Sequence, residues 1–454
     1  MTRRTPGLRK DTGFGSGTVY RDPWFSRFFY DLVFLVFSVF YVPFFFIKGK
    51  HKEGIWSRFG ILDKEIKEHF FDKKVIWVHG VSVGEAVQAV RLADALKDKL
   101  KDFTFLITTT TATGREVAQK LKSDEDVVLY FPVDFRTCVR SFIRSVAPQA
   151  VLVLETEIWP NLVYELSNAG IPVFLMNARI SDRAFSRYWK VKKFLRPVLN
   201  RFALIAAQDE TMRKRFLKLG AAPELVGVTG NMKFDWQPEM SEDEAIEKLA
   251  SVVRRPETFL WIAGSTHEGE EDILFEVYKS LKAKYDFLRL LVAPRHLDRL
   301  SAIEAKAREK NVILRKLTAL STASGHDSAF SENEVFILDK MGILAGTYRL
   351  ADAVFVGGSL VPSGGHNLAE PAFFEKAILF GPHMSNFREM AEEFKKENAG
   401  IEVQGREALE ATLERWIRNP EEARGFGTRA RRLVTQHQGA TQKNVSRFLN
   451  LAKF

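Results

Sequence analysis

Short apolar runs alternate with amphipathic stretches along most of this chain of 454 residues. The runs are rich in β-branched and aromatic residues, which is typical of buried strands. Strands that are apolar on both faces occur in parallel sheets covered by helices on each side, so the pattern predicts an α/β fold. The first series of predicted strands comprises residues 75–79, 103–108, 127–131, 150–154, 172–176 and 203–207.

A second series follows a polar, acidic stretch that begins at Gln237. It comprises residues 259–263, 288–293, 312–314, 335–338, 353–356 and 377–380. Two such series predict two doubly wound, Rossmann-like domains that face a cleft, with ligands at the carboxyl ends of the strands. We expect a basic tail and hydrophobic segment over residues 1–55, a first domain over 56–236, a linker over 237–257, a second domain over 258–433 and a helical tail over 434–454.

The hydrophobic segment, residues 28–47, is long enough to cross the hydrocarbon core of a bilayer as a helix. Asp31 is its only charged residue, and no small-residue cleavage site follows it. We therefore predict an uncleaved membrane-anchor helix. Basic residues flank both ends, so whether the helix spans the bilayer or lies in one leaflet stays open. A buried core helix is the alternative interpretation.

The formal charge of +10 indicates an anionic partner, which could be a nucleic acid, a membrane surface or a phosphorylated substrate. No nucleic-acid-binding signature accompanies the charge, and we expect no nucleic acid partner. The single cysteine, Cys138, excludes an internal disulfide framework and a cysteine-rich zinc site. The histidines lack the spacing of metal ligands, so we also predict no metal.

A glycine-rich tract follows the predicted strand 353–356. Gly357 and Gly358 let the backbone turn sharply, and a second glycine pair precedes a predicted helix start at Asn367. Free N–H groups at a helix start favour an anion, and Glu370 could accept hydrogen bonds from a ribose. The tract thus predicts a binding site for a phosphate and a sugar. A plain crossover loop, with glycines only for packing, is the alternative.

Acidic residues follow two strands of the first series. Glu85 lies in a glycine-bounded turn after strand 75–79, where a carboxylate can take a proton from an attacking alcohol. Glu155 and Glu157 follow strand 150–154, and Lys233 closes the first domain. The alternatives are a first-turn helix charge for Glu85, an N-terminal helix charge for Glu157 and a solvated surface ammonium for Lys233.

Several motifs, in this order from about Trp56 to beyond Phe387, resemble those of the 3-deoxy-D-manno-octulosonic acid (Kdo) transferases of lipopolysaccharide synthesis. They are residues 80–85, 155–162, 177–183, 230–235, 263–271, 294–296, 355–360 and 364–367.

The resemblance implies an inverting glycosyltransferase of GT-B architecture that moves Kdo from CMP-Kdo to a lipid A precursor. It implies a location at the bacterial inner membrane, in contact with inner-membrane lipids, with the catalytic domains on the cytoplasmic side. No cofactor and no metal are implied.

The resemblance also implies roles for individual residues. Glu85 matches the catalytic base, and Glu155 and Lys233 match positions that stabilise the transition state. The positions implied for CMP binding are Arg295, His296, Met341, Gly342, Ile343, Asn367, Leu368, Ala369 and Glu370, and those implied for contacts to phosphate or the sugar carboxylate are Ser265, Ser359 and His366.

The chain departs from the family pattern in the turn at residues 338–344. An acidic residue expected there is replaced by Ile343, and Lys340 adds a cation. The main chain of this turn can still contact the nucleotide after the change. Side-chain contacts from the turn to the nucleotide are not predicted with the same support. A GT-B enzyme for another nucleotide sugar and a non-catalytic sugar-nucleotide-binding protein are the alternative functions.

Overall fold

The computed structural model describes residues 30–31, 54–235, 243–253, 258–320 and 334–452. Its contacts divide the chain into two units, which are Met1–Lys233 with Gly439–Phe454, and Phe234–Gln438. Each unit contains a parallel sheet with helices packed on it, which confirms the prediction of two doubly wound α/β domains.

The sheet of the first unit has seven strands in the order β3-β2-β1-β4-β5-β6-β7. All of its strand pairs are parallel. The order reverses between β1 and β4, and such a switch point is where ligands bind in open α/β sheets. The strands are β1 Lys74–His79, β2 Phe103–Thr109, β3 Val127–Tyr130, β4 Ala150–Leu154, β5 Val173–Ala178, β6 Leu204–Ala207 and β7 Val226–Val228.

The second unit repeats this plan, with the strand order β10-β11-β9-β8-β12-β13-β14. Its switch point lies between β8 and β12, which are also paired in parallel. The strands are β8 Phe259–Thr266, β9 Leu288–Pro294, β10 Ile313–Lys316, β11 Glu334–Ile337, β12 Ala353–Val356, β13 Ala377–Phe380 and β14 Ile401–Glu402.

Helices cover both faces of each sheet. Those of the first unit are Ile55–Arg58, Lys64–Phe70, Val83–Lys97, Ala112–Leu121, Arg136–Val146, Pro160–Asn168, Asp182–Lys190, Lys192–Leu199, Glu210–Leu219 and Ala440–Ala452. Those of the second unit are Glu244–Val253, Glu270–Lys282, Leu300–Glu309, Leu344–Thr347, Ala369–Phe373, Arg388–Lys396, Arg406–Arg418 and Pro420–His437.

Alternate residues of each strand enter different cores, as the period of a strand requires. In β1, Trp77 packs in one core and Ile76 in the other, and both are fully buried. The second of these cores is closed by the C-terminal helix Ala440–Ala452, whose Phe448 meets Phe174 edge to face at 4.9 Å. The last helix of the chain therefore completes the hydrophobic core of the first unit.

Most of the predicted anchor, residues 28–47, lies outside the described residues. Tyr30 and Asp31 are described as helical. The Tyr30 hydroxyl donates to Asp134 Oδ2 at 3.0 Å, and Asn161 Nδ2 donates to Asp31 Oδ1 at 2.6 Å. Asp31, the one charged residue of the segment, thus accepts a hydrogen bond from Asn161. Within the described ranges no helix has the length and apolarity to span a bilayer, and the anchor stays a prediction.

Candidate functional site

Glu85 is held in a fixed position at the start of the helix Val83–Lys97. The Val81 N–H donates to Glu85 Oε2 and the Ser82 hydroxyl donates to Glu85 Oε1, each at 2.8 Å. Ser82 in turn accepts from the Glu85 N–H, which makes a reciprocal helix cap. A Cβ on Gly80 would lie 2.8 Å from the Glu85 carbonyl oxygen, so this turn requires glycine. Glu85 therefore caps its helix, and its carboxylate is held in one orientation.

Glu155 is buried at the end of β4 between two cations. Lys233 Nζ lies 2.8 Å from Glu155 Oε1, and an Arg179 guanidinium nitrogen lies 3.3 Å from Oε2. Gln88, on the same helix as Glu85, donates to Glu155 Oε1 at 3.4 Å. The structure thus brings the three predicted catalytic residues, Glu85, Glu155 and Lys233, together in the first unit.

Asn177 links the elements of this cluster. Its amide nitrogen donates to Gln88 Oε1 at 2.8 Å, and its Oδ1 accepts from the Met232 N–H at 3.0 Å. Asn177 and Glu155 both have positive φ, 50° and 58°, where non-glycine residues are strained. No role was predicted for Gln88, Asn177 or Arg179, although Asn177 and Arg179 lie in the motif at residues 177–183. The frequency with which asparagine adopts positive φ is a second signal that marks Asn177.

The acidic residues of this cluster interact electrostatically. Burial raises the pKa of Glu85, and the charge of Glu155 raises it further, whereas Lys233 opposes the shift. Burial, followed by the charges of Glu85 and Glu155, raises the pKa of Glu157 to about 8. Glu157 is therefore expected to hold a proton near neutral pH. Glu157 lies just before the N-terminus of the helix Pro160–Asn168, so its alternative interpretation as an N-terminal helix charge stays open.

Replacing Lys233 with methionine is expected to move the acidic limb of the pH–rate profile to higher pH. Lys233 lowers the pKa of Glu85, so its removal raises that pKa. A general base, the role that the resemblance implies for Glu85, acts only when deprotonated, so the variant needs a higher pH to reach its plateau. Measuring kcat/KM from about pH 5 to about pH 9 checks this. The exposed Lys218→Met is the control, and an unmoved limb in Lys233→Met would contradict the assignment.

In the second unit, three histidines meet at the carboxyl ends of the strands. His267 Nε2 lies 2.9 Å from His366 Nε2, and the ring centroids are 5.2 Å apart, so the two rings meet end to end through these nitrogens. The ring of His296 meets His267 edge to face at 5.9 Å. Arg295, beside His296, is exposed at the end of β9. His267 was not predicted as a site residue, although it lies in the family-like motif at residues 263–271.

The glycine tract has a different hydrogen-bonding pattern from the predicted one. The fully buried carboxylate of Glu270 accepts from the N–H groups of Gly358, Ser359 and Leu360 at 2.7, 3.0 and 2.9 Å. It also accepts from the His267 N–H at 2.9 Å. These backbone groups are therefore engaged by Glu270 and not open to a phosphate. Gly358, Ser359 and Leu360 lie 88 to 90 residues from Glu270 in the sequence, which explains why these hydrogen bonds were not predicted.

Ser359 is also part of this internal network. It is fully buried, donates its hydroxyl proton to the Val356 carbonyl and accepts from the Gly381 N–H at 2.8 Å. Its side chain therefore holds the turn, which is a correction to its predicted contact with substrate. Ser265, in contrast, is half-buried and has a positive φ of 56° within β8. That strain is typical of ligand-binding turns.

The other residues predicted to bind CMP fall into two groups. Met341 and Gly342 are exposed, and Asn367 and Glu370 are half-buried. Three residues pack in the hydrophobic core and can offer a ligand only their main chain, namely Ile343, Leu368 and Ala369. Asn367 Oδ1 accepts from the Ala369 N–H at 3.0 Å, so Asn367 forms a side-chain turn just before the short helix Ala369–Phe373.

The unusual turn at residues 338–344 is explained by its contacts. Ile343 fills the core, where a carboxylate would be desolvated. Lys340 Nζ lies 2.6 Å from Asp243 Oδ2, and this hydrogen bond lowers the pKa of Asp243. Ile343 thus serves the packing of the second unit, and Lys340 adds an ion pair within it.

Arg299 is a further cation near the histidines. It makes a two-pronged ion pair with the fully buried Glu271, with distances of 3.0 and 3.1 Å. The Thr266 hydroxyl also donates to Glu271 at 3.0 Å. Glu270 and Glu271 lie in one of the motifs quoted above, but their roles as internal acceptors could be seen only in the fold.

Comparison with known proteins identifies the family. The family described as "3-Deoxy-D-manno-octulosonic-acid transferase (kdotransferase)" matches residues 53–236. The 3-deoxy-D-manno-octulosonic acid transferase of Haemophilus influenzae is 34% identical over 372 residues, which cover 81% of this chain and 85% of that protein.

Two solved structures are also similar. One is the C-terminal CMP-Kdo binding domain of WaaA from Acinetobacter baumannii, which is 26% identical with a TM-score of 0.38 and covers 42% of this chain and 96% of that one. The UDP-GlcNAc 2-epimerase of Neisseria meningitidis has a TM-score of 0.50 at 14% identity, covering 84% of this chain and 99% of that one, and shares the fold alone. On the sequence relationship over most of its length, the chain belongs to the 3-deoxy-D-manno-octulosonic acid transferases, a family of glycosyltransferases.

Proposed function

We propose that this protein transfers Kdo from CMP-Kdo to a lipid A precursor with inversion, and that Glu85 is the general base. The observation that carries the proposal is the position of Glu85, which two donors orient beside Glu155 and Lys233. A carboxylate with a raised pKa is a better proton acceptor than an ordinary surface glutamate.

The proposed step is a single displacement. Glu85 takes the proton of an acceptor hydroxyl while that oxygen bonds to the anomeric carbon of Kdo. The bond from this carbon to the phosphate oxygen breaks, and CMP leaves with the electron pair. The ion pairs of Glu155 with Lys233 and Arg179 hold these three charged groups in place around Glu85. The site therefore needs little reorganisation as the transition state forms.

We propose that the donor binds at the strand ends of the second unit. Arg295, His296 and the half-buried polar residues Asn367 and Glu370 are suited to a nucleotide, and Arg295 can balance the charge on the departing phosphate. The main chain of the turn at Met341 can contact the nucleotide even though Ile343 is buried. In this proposal the protein supplies the cations and no cofactor takes part.

We further propose that the protein works on the cytoplasmic side of the inner membrane, anchored by residues 28–47. A surface feature supports contact with an anionic leaflet, because Trp189 and Val191 are half exposed and alternate with Lys190 and Lys192. Such basic residues each gain about 1 kcal/mol near an anionic bilayer surface.

Incubation of the full-length protein in detergent with CMP-Kdo and a tetra-acylated, bisphosphorylated lipid A precursor is expected to give a lipid heavier by whole Kdo units. Mass spectrometry reads the product and counts the sugars. Parallel reactions contain UDP-sugars in place of CMP-Kdo, and a product only in those would contradict the proposed donor. Absence of any product, with intact CMP-Kdo and folded protein, would contradict the proposed reaction.

A further inference from the structure

Tyr348 is a buried tyrosine of the second unit whose hydroxyl has no partner among the residues that the structure describes. Its side chain is 2% exposed and packs in the same core as Ile343 and Leu368. Buried hydroxyls are usually hydrogen-bonded, because an unpaired one has given up its contacts with water. The Tyr348 hydroxyl is therefore suited to bind a polar group of a ligand.

This hydroxyl lies at the switch point of the second sheet. A Cβ on Gly264 would overlap the hydroxyl oxygen and would lie 2.9 Å from Tyr348 Cζ, so the phenol takes the space beside this glycine. Gly264 is close to the carboxyl end of β8, and it pairs with Val356, the last residue of β12. The strand order reverses between β8 and β12. The phenol oxygen thus reaches the place where open α/β sheets bind their ligands.

Glu370 is the charged group that acts on this hydroxyl. The helix Ala369–Phe373, which carries Glu370, packs against the turn Tyr348–Leu350. Burial, and then the charge of Glu370, raises the pKa of Tyr348, so the phenol keeps its proton at neutral pH. The phenol can donate and the carboxylate can accept. A ligand hydroxyl placed between them can accept from one and donate to the other.

We propose, on the basis of the proposed function, that Tyr348 and Glu370 together bind one ribose hydroxyl of the cytidine nucleotide. The phenol donates to the ribose oxygen, and the ribose hydroxyl donates to the Glu370 carboxylate. A phosphate does not suit this pair, because its oxygens only accept and the carboxylate repels them. Tyr348 is thus a residue that determines specificity for the nucleotide, in addition to the residues assigned above.

The proposal makes the ribose a criterion of selection. A nucleotide without the bound hydroxyl leaves the buried phenol unpaired, and sites built to bind a hydroxyl reject such analogues. The parent protein is expected to bind CMP at least about tenfold more tightly than it binds either 2′-deoxy-CMP or 3′-deoxy-CMP. The analogue that is rejected identifies the ribose hydroxyl that the pair holds.

Isothermal titration of the full-length protein with these three nucleotides tests the proposal, with Tyr348→Phe as the variant. The variant is expected to bind CMP roughly three- to tenfold more weakly, the effect of one neutral hydrogen bond. Its affinity for the rejected deoxynucleotide should equal that of the parent, so that discrimination falls by the same factor. Unfolding in guanidinium chloride should be parent-like, because the hydroxyl that is removed has no partner within the described part of the fold.

Tyr278→Phe is the matched control, since Tyr278 is fully buried in the same unit and its hydroxyl donates to the Glu334 carbonyl at 2.8 Å. It should keep the discrimination of the parent. A parent that binds CMP and both deoxynucleotides equally would overturn the proposal without any variant. Parent-like discrimination in Tyr348→Phe, or equal weakening of all three nucleotides, would also overturn it. Failure of the parent to bind CMP at all would overturn the proposed donor and this inference together.

Discussion

Glu85→Gln is expected to lower the turnover of Kdo transfer by roughly 10² to 10⁴, the usual effect of losing a general base. Glutamine has the shape of glutamate but cannot accept the acceptor's proton. It can keep the local structure, because its carbonyl oxygen accepts from the Val81 N–H and its NH₂ group can donate to the Ser82 hydroxyl. The loss should therefore appear in kcat while the protein stays folded.

The measurement is the initial rate with saturating CMP-Kdo and acceptor. Donor affinity, measured separately, should be unchanged because the donor residues lie in the second unit. Glu116→Gln, at an exposed position on another helix of the first unit, is the control for charge loss. A Glu85→Gln enzyme with the turnover of the parent would show that another group is the base.

Glu270→Ala is expected to lower the free energy of unfolding by about 3 kcal/mol or more and to abolish donor binding. The change removes an acceptor used by four backbone N–H groups and leaves buried donors unpaired, each costing about 1 to 3 kcal/mol. The turn that carries Gly358 would then lose its shape, and the His267–His366 pair would lose its support.

Glu270→Gln keeps the shape of the side chain but replaces one hydrogen-bond acceptor with a donor. Each carboxylate oxygen accepts two N–H groups, so an NH₂ group in place of either oxygen would confront two donors. We expect this isosteric variant to be destabilised as well. Guanidinium chloride unfolding and CMP-Kdo titration are the measurements, with the neighbouring exposed Glu268→Ala as the control. Parent-like stability and affinity in Glu270→Ala would contradict the role assigned to Glu270.

Sequence pattern predicted the central strands well because each is apolar throughout. The predicted runs at Ala150–Leu154, Ala353–Val356 and Ala377–Phe380 have the bounds seen in the structure. The short edge strands Val226–Val228 and Ile401–Glu402 were not predicted, since most of their residues are at least partly accessible and give no apolar run. An edge strand is specified by its neighbour more than by its own composition.

The sequence pattern marked candidate site residues near the ends of strands and at a predicted helix start. Glu155 directly follows a strand and Glu85 lies just after the turn that follows another, whereas Arg295 and His296 were assigned through the resemblance. The role of Glu270 was not predicted, because three of its four partners lie 88 to 90 residues further along the chain. Ser359 was misinterpreted for the same reason, since burial and the bond to Gly381 arise only when β12 and β13 pair.

The helix Ala440–Ala452 has a consequence for biosynthesis. During translation, the first sheet and most of its helices emerge long before this helix, which follows the whole second unit in the chain. The apolar surface that later meets Phe448 therefore stays uncovered until the whole second unit has been synthesised, and exposed surface of this kind favours aggregation. A fragment that ends at residue 233 would carry the same uncovered surface, so an isolated first domain needs the last helix attached by a linker.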